Sequence, residues 1–325
     1  MRRRDFLTSA AAFAAVGGPA LTAAQPARAR PVVGVLIYST PDTDPNLHAF
    51  VEGLAKLGYV AGQSITLDYR FGDNRPERLP GLAAELVSRK PDVIFALGGE
   101  VTTYVAKATQ TIPIVYGMSA DPVPLGIAAS LARPGGNATG VTYLSDVLAG
   151  KRLELFTEAA PRLARVGFLH DPSHADNELQ VAQAAATRLG VALAPLVLRG
   201  PADLDDVLAA AGEASVDGLY IVSSRHTIGN AARVVDYASA KHLPLAGGWG
   251  AWVEAGGLIS YGPNVPDMVR RAALYVDQIL KGAKPGELPV QQPTRFELMV
   301  NLRNAKALGL TLSEAFLLRA DKVIE

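Results

Sequence analysis

Apolar positions in this chain alternate between continuous short runs and helically spaced ones. Val32-Val33-Gly34-Val35-Leu36-Ile37-Tyr38 is an unbroken run of strand length, ended by Ser39-Thr40-Pro41-Asp42. Such a run marks a strand buried on both faces. Leu47, Phe50, Val51, Leu54 and Leu57 then recur at helical spacing up to Gly58, a natural helix stop. Residues 65–71 alternate as an edge strand does, and Leu79, Leu82, Ala83, Leu86 and Val87 mark the next helix face. Residues 92–97 predict a third strand, which ends at Gly98-Gly99-Glu100, with a helix over 101–109. A fourth strand, Ile114-Val115-Tyr116, runs into the polar turn Gly117-Met118-Ser119-Ala120-Asp121-Pro122. A short helix over 125–131, a break at Arg133-Pro134-Gly135-Gly136-Asn137 and an extended run over 139–144 complete the unit. Strands alternating with helices call for a parallel sheet with right-handed crossovers.

The pattern then begins again. Helices are predicted over 148–159, 179–189, 204–211 and 231–240, with strands at 166–170, 191–198, 218–222 and 243–246. The last third is less modular: a strand at 257–261, a helix opened by Pro266, a loop over 281–289, a strand at 296–302 and a short helix ending near Gly309. Val269, Ala272, Ala273, Val276 and Ile279 share one face of the Pro266 helix. The fold class is therefore α/β, and 325 residues suit two domains of about 150 each.

Three separated stretches carry a resemblance. They are Ala120-Asp121-Pro122-Val123 with Arg133-Pro134-Gly135-Gly136-Asn137-Ala138-Thr139-Gly140-Val141-Thr142, then Gly256-Gly257-Leu258-Ile259-Ser260-Tyr261-Gly262-Pro263, then Gln292-Pro293-Thr294-Arg295-Phe296-Glu297-Leu298. In this order they resemble the ABC transporter substrate-binding proteins whose better known members bind tryptophan and related amino acids, over nearly all of the chain after its leader. The resemblance implies two Rossmann-like lobes with parallel sheets joined by hinge strands, the type I periplasmic binding protein fold. It implies an N-terminal lobe of residues 30–145 plus 257–289 and a C-terminal lobe of 146–256 plus 290–325, with hinges near 144–149 and 256–263.

Composition narrows the function classes. Lys+Arg and Asp+Glu both number 31, which gives no electrostatic footprint for nucleic acid or an anionic membrane. Residues 1–29 read as an export signal. Arg2, Arg3 and Arg4 precede Asp5-Phe6-Leu7 and an uncharged apolar stretch, and small residues offer cleavage after Ala24 or Ala29. The twin arginine resembles a Tat signal, although a Sec signal has the same layout. Gly17-Gly18-Pro19 interrupts the stretch, which is short against the roughly 20 residues of a membrane span. The chain has no cysteine, which excludes disulfides, thiolate metal sites, a cysteine nucleophile and a lipoprotein anchor. A mature chain free in the periplasm, without stable membrane insertion, is the expectation.

Enzymatic signatures are thin. No G-x-S-x-G elbow or P-loop occurs, and Gly98-Gly99 and Gly247-Gly248 do not continue into a dinucleotide fingerprint. His170 and His174 bracket a loop with Asp171 and Asp176 nearby, but Asp171-Pro172-Ser173 reads as turn and cap chemistry and the two histidines share no helix face. No cofactor or metal is expected. In doubly wound sheets the loops after the carboxyl ends of the strands line the ligand crevice. On the first lobe these carry Ser39, Thr40, Gly99, Glu100, Thr102, Ser119 and Asp121; on the second, Asp171, Asn177, Ser223, Ser224 beside Arg225, and Trp249. Tyr261 reaches the same cleft from a hinge strand or else belongs to the core. Ser39, Thr40, Ser119 and Asp121 suit helix capping as well as ligand contact, and Glu100 suits either a helix N-terminus or a ligand ammonium.

The resulting expectation is a monomeric, non-enzymatic periplasmic binding protein that closes on a small ligand and hands it to an ABC permease. An aromatic or branched amino acid, or another small carboxylate, is the ligand the resemblance implies. Two further classes stay open: a sensing module for a membrane receptor, and an exported enzyme drawing on Glu100, Asp121 and His170.

Overall fold

The computed structural model describes residues 30–325 except 42–43, 144–145 and 175–176. The export segment lies outside the described residues. In chain order the first elements are β1 (Val32–Ile37), α1 (Pro45–Lys56), β2 (Thr66–Phe71), α2 (Leu79–Ser88), β3 (Val93–Leu97), α3 (Gly99–Ala108), β4 (Ile114–Met118) and β5 (Ala138–Thr142). Then come α4 (Ala149–Ala159), β6 (Arg165–His170), α5 (Glu178–Leu189), β7 (Ala192–Val197), α6 (Leu204–Glu213), β8 (Gly218–Ile221), α7 (Arg225–Ile228), α8 (Ala231–Ala240) and β9 (Leu245–Gly247). The chain ends with α9 (Ala251–Glu254), β10 (Ile259–Gly262), α10 (Val265–Leu280), β11 (Glu297–Asn301), α11 (Leu302–Ala307), α12 (Glu314–Leu317) and β12 (Lys322–Ile324).

Two sheets result. The first is five-stranded and parallel, in the order β2-β1-β3-β4-β5. The second has seven strands, β12-β11-β10-β9-β8-β6-β7, with the β10–β11 pair antiparallel. Because side chains alternate across a strand, each apolar run feeds two cores. Val33, Val35, Phe95 and Val115 meet α1 and α10, where Phe50 stacks on Phe95 at 3.8 Å. Leu36, Ile94, Ala96 and Tyr116 meet α2 and α3 on the other face. The second sheet repeats the plan: Phe168 and Tyr220 lie under α4 and α5, while Leu169 and Ile221 lie under α6 and α8.

Three connections join the lobes. The chain leaves β5 for α4, returns from β10 into α10, and leaves again after Gln291, which lies beside β5 through Thr142 N to Gln291 O and Gln291 N to Gly140 O. The expected placement of all of 257–289 on the first lobe needs correction at one element: β10 belongs to the second sheet, hydrogen-bonded between β9 and β11, and only then does α10 cross to pack on α1. The helix expected over 125–131 is absent. That stretch is a series of turns in which Gly126 takes a left-handed φ of 69° and Ile127 and Ala128 both bond back to Pro122 O.

Candidate functional site

The carboxyl ends of both sheets face one cavity of about 630 Å³. From the first lobe it receives Tyr38 and Ser39 after β1, Gly98 to Glu100 after β3, Ser119 and Ala120 after β4, and Tyr143 after β5. Gly98 has φ 112°, closed to ordinary side chains, and this lets the chain turn straight from β3 into α3. The turn aims one face of α3 into the cavity: Glu100, Thr103, Tyr104 and Lys107 all line it, at helical spacing. The second lobe supplies Ser223 and Arg225 after β8, Trp249 after β9, Ser173 and His174 after β6, and Pro263 after β10.

The lobes touch across this cavity. Glu100 forms an ion pair with Arg225, whose guanidinium also lies over the Tyr38 ring, 4.7 Å from its centroid. Ser119 Oγ stands 2.9 Å from His174 Nε2. Tyr38 donates its hydroxyl to Asn74 O at 2.7 Å, and Tyr38 Oη is also 3.4 Å from His226 Nδ1. Burial pushes the Tyr38 phenol up to about 12, with Arg225 opposing the shift, so the hydroxyl stays a donor at neutral pH. Burial also draws His226 below its ordinary value, against the opposing attraction of Asp171. Where β5 and β9 end, Tyr143 and Trp249 meet edge to face at 6.1 Å. Asp44 also lines the wall, where its carboxylate caps α1 through Asn46 N and Leu47 N and accepts from Ser39 Oγ at 2.8 Å.

Of the residues expected from sequence, Ser39, Gly99, Glu100, Ser119, Ser223 and Trp249 line the cavity. Seven stand elsewhere. Thr102 is fully buried and gives its hydroxyl to Gly98 O, and Asp171, 3% exposed, accepts from Ser173 N and Oγ. Ser224 is consumed by the capping box of α7. Asp121 is exposed and caps Val123 N, Asn177 is exposed at the start of α5, and Thr40 lies outside the lining. Tyr261 packs on Phe296 and gives its carbonyl to Arg152, so it serves the core. Sequence reasoning missed Tyr38, Asp44 and Tyr143, and weighed His174 only as a metal ligand. Tyr38 was legible in principle, being the last residue of the first apolar run. Among the described residues no group of three or more His, Asp or Glu side chains stands close enough to hold a metal ion.

Comparison with known proteins adds three findings. The family model described as ABC transporter substrate binding protein matches residues 33–324. A tyrosine-binding protein of Clostridioides difficile is 24% identical over 273 residues, covering 83% of this chain and 78% of that protein. Among solved structures, a conserved domain protein from Vibrio cholerae superposes with TM-score 0.83 at 27% identity, over 90% of this chain and 99% of its own. A Streptococcus domain in complex with L-Trp gives TM-score 0.82 at 24% identity, over 91% and 100%. The ligand-free, open structure of a Clostridium difficile substrate-binding protein gives 0.64 at 23%, over 91% and 99%.

Proposed function

The chain belongs to the ABC transporter substrate binding protein family, and we propose that it takes an amino-acid-like ligand between its lobes for delivery to an ABC importer. The observation that carries this reading is the cavity itself: about 630 Å³, within the roughly 300–1,000 Å³ of small-molecule sites, walled by groups from both lobes at the carboxyl ends of both sheets. Its chemistry is mixed. Tyr143, Trp249, Leu97, Met118 and Met299 offer apolar and aromatic surface, and Asp44, Ser39 and Ser119 offer polar contacts. That combination suits a small zwitterion with an aromatic or large apolar side chain.

The mechanism is hinge closure. Ligand enters between separated lobes, the three connections bend, and the second lobe completes the site. The higher superposition score against the L-Trp complex than against the ligand-free open structure, at equal coverage, supports lobes that are drawn together here. Export by the N-terminal segment and work outside the cytoplasm follow from the same reading. An enzymatic alternative loses ground because Glu100 is paired with Arg225 while Asp121 caps an exposed turn and neither Asp121 nor His170 lines the cavity.

Mass spectrometry of small molecules released on denaturation, followed by thermal-shift titration with each standard amino acid, tests the proposal. A true ligand at a hundredfold excess over its Kd adds about 2.7 kcal/mol of stability and a saturable rise in Tm. A protein that carries no amino acid and whose Tm none of them moves is not an amino-acid carrier.

A further inference from the structure

Burying a hydrogen-bond donor without a partner is costly, and most buried donors in folded proteins are satisfied. Trp252 follows the rule: its indole N–H reaches Ser223 Oγ at 3.1 Å. Two aromatic residues on the cavity wall do not. Tyr143 Oη and Trp249 Nε1 are both buried and have no hydrogen-bond partner among the described residues. Their position is not accidental to the fold. Tyr143 is anchored by its backbone N–H to Met118 O, and its hydroxyl lies over Gly117, where an added methyl would stand 2.6 Å from Oη. Trp249 follows the Gly247-Gly248 pair at the end of β9, so one donor comes from each lobe. The rings meet edge to face at 6.1 Å with an interplanar angle of 87°.

Two unmet donors on neighbouring rings, held by separate lobes on the wall of one cavity, describe a place for an acceptor that the ligand must bring. Asp44 limits what that ligand is. Its carboxylate is on the same wall, caps α1 and keeps a negative charge close enough to hold the Tyr143 phenol further above its ordinary value, after the larger effect of burial. An anion alone would be repelled there, and an amine alone would leave both donors unmet. A zwitterion answers both conditions.

We propose that Tyr143 and Trp249 form a two-lobe donor pair for the ligand carboxylate, and that Asp44 beside them takes the ligand ammonium. The proposal rests on the amino-acid reading above and sharpens it. It makes the carboxylate the group that bridges the lobes, so a ligand without one binds but closes the cleft poorly.

The test uses L-tryptophan and L-tyrosine as probes, with tryptamine and tyramine lacking the carboxylate and indole-3-propionate lacking the ammonium. Binding is measured by calorimetry on the full mature chain and on Tyr143→Phe, Trp249→Phe and Asp44→Asn. Each aromatic variant is expected to lose roughly 10- to 100-fold in affinity for the amino acid, as for a hydrogen bond to a charged group, and to lose much less for the amine, which gives up only ring contact. Asp44→Asn, which keeps a capping side chain, should lose affinity for the amino acid and bind indole-3-propionate more tightly than the wild type does. The ligand-free Tm of Tyr143→Phe should equal or exceed that of the wild type, since an unmet donor is removed. Amino-acid affinities unchanged in both aromatic variants, or amino acid and amine lost in parallel, overturn the donor pair while the binding function stands. A wild type inert to both amino acids overturns the pair, and the binding function falls with it only when every other standard amino acid is inert too.

Discussion

His226, behind Tyr38 on the cavity wall, is a buried histidine whose titration the fold shifts. It is 4% exposed, edge-on to Tyr38 at 5.8 Å, with Nε2 3.8 Å from Asp171 Oδ2. Burial is the largest influence and lowers its pKa; Arg225 and His174 push the same way, while Asp171 and Asp203 oppose. The folded protein thus prefers the neutral ring, and the stability this provides is whole above the ordinary histidine value of about 6.5. It is lost as pH falls from there through the lower folded-state value. Tm should be level between about pH 8 and 7 and decline below about 6.5, and His226→Gln should flatten that decline; an equal slope in the variant would place the acid sensitivity elsewhere. The same neighbourhood explains how much of the site was legible in the sequence. Glu100, Ser119, Ser223 and Trp249 were found because they directly follow buried strands, and the strand ends point at the cavity. Thr102, Asp171 and Ser224 follow strands equally closely, but each turned inward to satisfy a backbone or cap. Which way a capping residue turns is a local hydrogen-bonding outcome that spacing does not encode. Tyr143 was hidden because the extended run looked continuous to Leu144, whereas β5 stops at Thr142.

At the scale of elements, the loop from β9 into α9 is clamped from below. A methyl on Gly262 in β10 would stand 1.8 Å from Gly248 O, and one on Gly247 would stand 2.2 Å from Trp252 Cδ1. Gly262→Ala should therefore push the Gly248-Trp249 turn out of place and abolish the ligand-induced Tm rise, with far-UV circular dichroism unchanged. Beneath the loop, fully buried Arg152 on α4 donates to Glu178 at 3.0 Å, to Tyr220 Oη at 2.6 Å and to Tyr261 O at 2.9 Å, which ties α4 to α5, β8 and β10. Arg152→Ala leaves Glu178 buried without that partner and should cost about 3–5 kcal/mol in urea denaturation. The double variant Arg152→Met, Glu178→Leu should recover much of this, because the charge and its partner leave together. A double variant as unstable as the single one would mean packing, not charge, is what Arg152 supplies. Most helices and strands were legible because their apolar periods are long and clean, as in Val33 to Ile37 and Val269 to Ile279. The turns after Pro122 were not, since Leu125, Ile127, Ala128 and Leu131 mimic a helix face while Gly126 breaks it. Nor was the lobe that β10 joins, because sheet membership is set by pairing across distant sequence.

The two lobes meet through the Glu100–Arg225 ion pair, the Ser119–His174 hydrogen bond and the stacking of Arg225 on Tyr38, none of which involves a ligand. Under the proposed hinge closure these contacts form only when the lobes are together, so they would raise the closed population of the ligand-free protein, by which affinity is scaled. A ligand shifts the balance only by what it binds better in the closed form, which on the present reading is what it gains from the second lobe. Glu100 and Arg225 keep 25% and 15% of their side chains exposed, so solvent screens the pair and its effect is modest. Glu100→Gln should nonetheless open the ligand-free protein, weaken apparent affinity and leave the fully liganded state unchanged. The absence of native cysteine makes the measurement clean. Spin labels on cysteines introduced at exposed Arg89 on the first lobe and Lys241 on the second would report one inter-lobe distance without competing sites. In the wild type, raising ionic strength should lengthen that distance slightly; in Glu100→Gln it should start longer by a similar small amount and be indifferent to salt. Saturating ligand should bring both to the same short value. Identical ligand-free distance distributions in the two proteins would mean that the ion pair follows closure and does not favour it, and that the ligand alone supplies the energy that brings the lobes together.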